Sequence, residues 1–334
     1  MKSLSNITAK LVTFSILAGI LSACGGGGGG GNGNNNPGPG GNTPPPTNTI
    51  MRPVVIEFDY DNNGTVDATS TLSYDAQGRL TLEEYVNTGD GTPDQFDLYD
   101  HPQVTNEYSY NADGRLLVHK RIVPDNTVEY THQYDAAGNV TRIDVVTTSI
   151  IGTVNTYMLF TYNGNQAQQF DIYLTSDDSL LLTEQYSYDM QGRVTQDMGI
   201  FPAGGAGYVR QFTWDAENRL DLYEFDGDAN GDFEISYDYV FNAQGKLSQR
   251  VNTNTVQPDP AEFDNFTEFF TYNADNQIDI VEYDNNNDGS LDATARIAQR
   301  ESGPCTAVYL PLLSTKAGQD GIPGSDVGDI AWCE

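Results

Sequence analysis

The feature that most restricts this chain is a short motif that returns about every 28 residues. An aromatic residue, then Asp or Asn, then two residues, then Gly or Asn, occurs at Tyr74-Asp75 with Gly78, Tyr110-Asn111 with Gly114, Tyr134-Asp135 with Gly138 and Tyr188-Asp189 with Gly192. It continues at Trp214-Asp215 with Asn218, Phe241-Asn242 with Gly245 and Tyr272-Asn273 with Asn276, and a divergent copy sits at Tyr162-Asn163. A second aromatic two residues earlier, as at Tyr108, Phe160, Tyr186, Phe212, Tyr239 and Phe270, places both rings on one face of a strand. Asp or Asn opens a tight turn by bonding its own backbone, and Gly or Asn accepts the left-handed conformation that closes it. The next residue is often basic (Arg79, Arg115, Arg193, Arg219, Lys246) and the one after it aliphatic, which starts a return strand. Those basic residues either pair with carboxylates along the row or lie over aromatic faces, and the sequence leaves both open.

Two strands per copy give roughly sixteen short antiparallel strands and no helix, an all-β meander. The expected sheet, over residues 50 to 300, is curled or spiral; the repeat alone does not fix whether its edges meet. Charges on both faces of stretches such as Leu80 to Val86 argue against a membrane-spanning barrel. The strings Tyr-Ser-Tyr-Asn-Ala-Asp-Gly-Arg-Leu (Tyr108 to Leu116) and Tyr-Ser-Tyr-Asp-Met-Gln-Gly-Arg-Val (Tyr186 to Val194) resemble the YD repeats of the Rhs and teneurin families, over residues 70 to 280 or so. The resemblance implies strips that wind into a large β shell, sometimes around a toxin. This chain is short for such a shell and shows neither a self-cleavage segment nor an appended toxin domain.

The turns between copies carry a second pattern. Asp59, Asp61, Asn63, Gly64, Val66 and Asp67 read D-x-D-x-N-G-x-V-D, and Asp226, Asp228, Asn230, Gly231, Phe233 and Glu234 keep that spacing. So do Asp284, Asn286, Asp288, Gly289, Leu291 and Asp292. Calcium takes about six to eight hard oxygens, and carboxylates or amides at positions 1, 3, 5 and 9, a carbonyl at 7 and Gly at 6 supply them. These loops resemble the front half of an EF-hand loop. Position 12, where an EF-hand has a bidentate Glu, holds Ser70, Tyr237 and Ala295, so the expectation is a structural calcium site completed by water or a neighbour. A fourth copy (Val86, Thr88, Asp90, Gly91, Asp94) has lost position 1. Asp-Asn-Gly runs are also good turn formers without any ion.

Lys2 and Lys10 precede an apolar run from Leu11 to Leu21, too short to span a bilayer and suited to a secretory leader over residues 1 to 23. It ends in Leu21-Ser22-Ala23-Cys24, which resembles the lipobox of bacterial lipoproteins. The resemblance implies that Cys24 carries a lipid, and Gly25 in place of Asp favours the outer membrane. Residues 24 to 49, with seven consecutive Gly and Pro44-Pro45-Pro46, read as a flexible tether. Cys305 and Cys333 then form an even pair in an exported chain, and a disulfide between them would close residues 301 to 334 as a non-repeat cap.

A net charge of −31 excludes a nucleic-acid footprint and makes a cation the natural small partner. Catalytic motifs such as G-x-S-x-G, a P-loop or H-E-x-x-H are absent from the sequence. His119 and His132 could face each other across a hairpin turning at Pro124-Asp125-Asn126, without a third metal ligand. The expectation is a non-enzymatic, lipid-anchored envelope scaffold with calcium and an unidentified protein or glycan partner. A YD/Rhs-type component of a toxin or secretion system and a polysaccharide-acting enzyme are the alternatives.

Overall fold

The structure, a computed structural model, describes residues 50–304 apart from 90–100, 165, 203 and 256–264. Cys24, Cys305, Cys333, the leader, the tether and the expected cap lie outside the described residues. Eighteen strands follow one another: β1 (Ile50–Asp59), β2 (Ala68–Tyr74), β3 (Leu80–Asn87), β4 (Gln103–Tyr110), β5 (Leu116–Val123) and β6 (Asn126–Tyr134). Next come β7 (Val140–Ser149), β8 (Gly152–Asn163), β9 (Gln166–Leu174), β10 (Ser179–Tyr188), β11 (Val194–Ile200) and β12 (Ala206–Trp214). The last are β13 (Leu220–Asp226), β14 (Ile235–Phe241), β15 (Leu247–Asn254), β16 (Phe266–Tyr272), β17 (Ile278–Asp284) and β18 (Ala293–Gly303). No helix occurs among the described residues.

Every strand pairs antiparallel with its sequence neighbours, and β1 also pairs with β18, from Ile50 opposite Gly303 to Asp59 opposite Thr294. The sheet is therefore a closed barrel, and the curled or spiral sheet expected from the repeats is corrected. The strand count is also eighteen where the repeat reading gives roughly sixteen. The additional two are β1 and β18, which belong to no motif-bearing hairpin and whose mutual pairing closes the ring. Local turns specify which strands are neighbours but are silent about the two outer edges, and pairing those edges satisfies backbone groups that would otherwise face water.

Side chains alternate across the wall. On β6, Val128, Tyr130 and His132 are buried while Gln133 is exposed, and on β3, Glu83 and Tyr85 are buried around an exposed Glu84. The inward face holds two aromatic-rich clusters. One spans β15 to β18 and β1 to β5, the other β6 to β14, and Tyr239 and Phe266 pack against both. Outside, Glu84, Glu107, Gln185, Asp221 and Asp238 stand exposed in mid-strand. An apolar interior and a charged exterior are the reverse of a membrane-spanning barrel.

Because the chain is a pure meander, all turns from an even to an odd strand fall on one rim and all turns from an odd to an even strand on the other. The first rim holds the aromatic-Asp/Asn turns. In the turn of Asp75, Oδ1 accepts the N–H groups of Gln77 (2.9 Å) and Arg79 (3.0 Å), and Gly78 takes φ of 82°. The Arg79 Nε donates to Asp75 Oδ2 at 2.7 Å while its guanidinium lies 4.4 Å from the ring centre of Tyr110 in the next hairpin. At Arg79, Arg193 and Arg219 both readings of the basic slot hold at once, because the guanidinium edge serves the carboxylate and its face serves the ring. Arg115 and Lys246, beside Asn-opened turns, lie over the rings of Tyr134 and Tyr272. Burial pushes the Asp75 carboxyl up, but the Arg79 backbone N–H and guanidinium outweigh it and hold it below its ordinary value.

Six of the motif aromatics, Tyr74, Tyr110, Tyr134, Tyr188, Trp214 and Tyr272, are also stitched backwards. The hydroxyls of Tyr110, Tyr134 and Tyr272 donate to the carbonyls of Leu80 (2.6 Å), Leu116 (2.6 Å) and Leu247 (2.8 Å), the residues that follow the basic slot of the preceding hairpin. Trp214 Nε1 does the same to Val194 at 2.7 Å. The stitch continues from β2 to β1, where Tyr74 donates to Pro53 at 2.7 Å and Arg52 lies over the Tyr74 ring at 4.2 Å, and Arg52 carries it across the closure by donating to the Pro304 carbonyl at 2.8 Å. On β18, Arg300 takes the aromatic's role and donates to the Ile278 carbonyl.

Asn replaces Asp at this turn in three hairpins, so Asp75→Asn should keep the two backbone bonds and lose only a partly exposed ion pair. Asp75→Ala should cost about 1 kcal/mol in urea unfolding, and Asp75→Asn less than half of that. Equal losses would mean that the ion pair, not the turn, carries the stability.

Candidate functional site

The opposite rim carries the acidic loops, between β1 and β2, β13 and β14, and β17 and β18. The three adopt one conformation. Position 1 accepts two backbone N–H groups: Asp59 from Asn63 (3.0 Å) and Gly64 (2.7 Å), Asp226 from Asn230 (3.1 Å) and Gly231 (2.7 Å), Asp284 from Asp288 (3.0 Å) and Gly289 (2.8 Å). Position 9 reaches back to the N–H of position 2, as Asp67 to Tyr60 (2.7 Å), Glu234 to Gly227 (2.6 Å) and Asp292 to Asn285 (2.7 Å). Asn62, Ala229 and Asn287 at position 4 and the three glycines at position 6 all have positive φ, from 52° to 95°. The backbone is thus wound so that alternate side chains point into the coil.

The result brings carboxylates together. Oxygens of Asp59, Asp61 and Asp67 lie within 4.8 Å of one another, as do those of Asp226, Asp228 and Glu234. Asn63 and Asn230 at position 5 turn their side-chain oxygens to the N–H of position 7, at 2.7 Å in both. In the third loop Asp288 fills that role towards Ser290 at 2.8 Å, and this backbone N–H holds its carboxyl below the ordinary value. Position 12 offers no ligand for a geometric reason. Ser70, Tyr237 and Ala295 are buried on the inward face of the return strand, and Ser70 instead donates to Glu83 at 3.1 Å.

The loops are tied to their neighbours. Asn62 Nδ2 donates to the Leu291 carbonyl at 2.9 Å and its Oδ1 accepts from Thr294, which places the first and third loops side by side across the β1–β18 closure. Of the fourth, weaker copy, Val86 and Thr88 are described, and Thr88 and Gly89 donate to the Asp67 carbonyl at 2.7 and 3.0 Å; Asp90, Gly91 and Asp94 lie outside the described residues. The described turns of this rim, together with the strand-ending Asp59, Asp226 and Asp284, contain thirteen carboxylates and no Lys or Arg. An array of oxygens with so little compensating charge favours a hard cation.

Sequence reasoning missed the polar groups inside the barrel. Arg210 bridges Glu184 (2.9 Å) and Asp197 (2.7 Å), and Tyr186 and Tyr208 both donate to Glu184, all of them buried. Gly199 lies under the Tyr208 ring, where a Cβ would collide with it, so only glycine lets that hydroxyl reach Glu184. Arg250 makes a two-pronged pair with Glu268, which also accepts from Tyr283 at 2.9 Å. Burial opposes the Arg250 charge, and Glu268 more than offsets it.

A third set runs from Glu83 through Asn106 (3.0 Å) to His119 Nε2 (3.1 Å). His119 lies between the rings of Tyr108 and Tyr130, at 4.7 and 5.5 Å. His119 and His132 thus occupy the same inward face, as read from the hairpin, but they belong to no group of three metal-ligating side chains among the described residues. Burial pushes His119 down to about 3, helped by His132 and Arg121, and His132 down to about 4, partly offset by the Leu117 backbone.

No protein-family model and no curated protein matches the sequence. Among solved structures, the chain is similar to TcdB2-TccC3-Cdc42, with 13% identity over 68% of this chain and a TM-score of 0.29; it spans 14% of that chain's length. It is also similar to a porin-like protein from Bacteroides uniformis, with 12% identity over 75% of this chain and 97% of that one and a TM-score of 0.37. At these values the likeness carries no inference about activity or partners.

Both histidines are neutral when folded, so their contribution is complete above the unfolded value of about 6.5 and is lost as pH falls from there towards 4 and 3. Replacing His132, whose ring nitrogens close no good hydrogen bond, by Leu should leave stability at pH 8 unchanged or higher. It should also reduce the loss between pH 6.5 and 4 by a few kcal/mol. Urea unfolding at graded pH reads this, and superimposable profiles for the two proteins would refute it.

Proposed function

We propose that this chain is a non-enzymatic, lipid-anchored barrel of the bacterial cell envelope, stabilised by calcium and serving as a scaffold for surface adhesion or envelope contacts. The observation that carries the reading is the repetition of one loop conformation at three places on a single rim, with carboxylate oxygens that converge in two of them. Calcium would neutralise two or three carboxylates per loop and relieve repulsion along a rim without basic residues. Since position 12 faces inward, water would complete each coordination shell, with affinity in the extracellular range of about 10⁻⁴ to 10⁻³ M. The lipobox-like Cys24 and the Gly/Pro tether support the anchor. Ile50 and Gly303 meet at the rim of the aromatic turns, so a tether ending at residue 49 leaves from there and the acidic loops point away from it. A second reading, a YD/Rhs-type component of a toxin or secretion system, rests on the Tyr108 to Leu116 and Tyr186 to Val194 strings, and a toxin or immunity gene beside this one would favour it.

Calorimetric titration of calcium into chelator-stripped protein should show one ion per loop and a higher melting temperature at saturation. The pair Asp59→Asn and Asp61→Asn should remove one ion while keeping the loop's backbone bonds. The absence of both heat and a melting shift would reduce these loops to ordinary turns.

A further inference from the structure

The turn between β7 and β8 consists of Ile150 and Ile151, which are 85% and 91% exposed. Turn formation does not ask for them, because two-residue hairpin loops favour Asn, Asp and Gly and β-branched residues are poor there. The surroundings are equally unusual for this protein. From Val145 to Phe170, 26 residues pass without Asp, Glu, Lys, Arg or His, in a chain of net charge −31. This is the longest charge-free run between residues 50 and 300, and its tip lies on the rim that carries the three acidic loops.

The tip also projects. β9 ends with Leu174 opposite Thr156 and Thr175 still donates to the Asn155 carbonyl at 2.9 Å, so Gly152 to Val154 extend past that neighbour, while on the other side Asn126 faces Ser149. Its backbone is closed on itself, with Thr148 paired to Thr153 and Ser149 to Gly152, the latter at φ of 138°. A hairpin end with no charge and two aliphatic side chains at its turn can press those side chains into the apolar margin of a bilayer while its turn and edge backbone groups stay among water and headgroups.

We propose that the β7–β8 tip is a membrane-contact point that buries Ile150 and Ile151 in the surface of a lipid bilayer. A lipid suits it better than a protein socket, because protein hot spots are built from Trp, Tyr and Arg, and this tip offers only Ile, Thr, Ser and Gly. The acidic rim beside it would be repelled by anionic headgroups, so the fitting surface is a neutral one. The contact is made by the end of the barrel opposite Ile50 and Gly303, and it needs no calcium.

The test is flotation of residues 25–334, which keep every strand of the ring and omit the apolar leader and Cys24, with phosphatidylcholine vesicles in chelator. The wild-type protein should float with the vesicles. Ile150→Asp with Ile151→Asp should weaken partitioning by about tenfold or more, at an unchanged melting temperature, and Ile150→Leu with Ile151→Leu should retain it. A wild-type protein that stays behind overturns the proposal and leaves the tip to an apolar socket on a protein; an Asp variant that floats equally well overturns it too. Chelator in every sample keeps this result separate from the calcium reading.

Discussion

A meander that closes on itself has a consequence that governs the whole molecule: its turns must alternate between two rims. A sequence period containing two turns is thereby separated into two ends of different chemistry. One end collects the aromatic, Asp or Asn, Gly and Arg of the tight turns. The other collects the acidic loops and the uncharged Ile150-Ile151 tip. The pairing of β1 with β18 makes this sorting complete, since it leaves no edge on which the sheet could continue.

Closing with the apolar face inward also fixes what the interior must tolerate. Glu184, Asp197, Arg210, Arg250 and Glu268 are buried there, and burial of a charge is acceptable only with partners in good geometry. Arg250 bridges two adjacent strands and Arg210 three consecutive ones, so these pairs favour one register over a slip by two residues more than they add to stability. The histidines meet the same interior differently, by remaining neutral. Polar groups at the rims, by contrast, are held by short local bonds within a turn, and these two classes of contact respond separately to acid.

The tight turns were legible because their chemistry is local: an Asp or Asn side chain bonds the backbone two and four residues ahead, and Gly closes the bend. The all-β meander followed from them. Closure was not legible, because it depends on how rotation between neighbouring strands accumulates over the ring, a quantity written at no single residue. The acidic loops were legible in residue type and in the convergence of Asp59, Asp61 and Asp67 and of Asp226, Asp228 and Glu234. The blank at position 12 needed the strand parity that points Ser70, Tyr237 and Ala295 inward. The interior charges were masked by an excess of acidic residues, although a signal existed. Glu184 shares the parity of Tyr186 and Tyr188, Glu268 that of Phe270 and Tyr272, and Arg210 that of Phe212 and Trp214. Arg52 and Arg300 gave no signal, because no turn motif precedes either one.

The seam between β1 and β18 has a kinetic meaning. Every other pairing joins strands adjacent in sequence and can form as a local hairpin, whereas the seam joins residues such as Arg52 and Glu301 that lie 249 positions apart. Loop-closure entropy makes that step late. Until it is taken, the chain is an almost finished sheet with two long open edges, the state in which β proteins associate wrongly. Strong like charge keeps such intermediates apart from one another while leaving the two edges of one molecule free to meet, so the acidity of this chain also protects its own assembly.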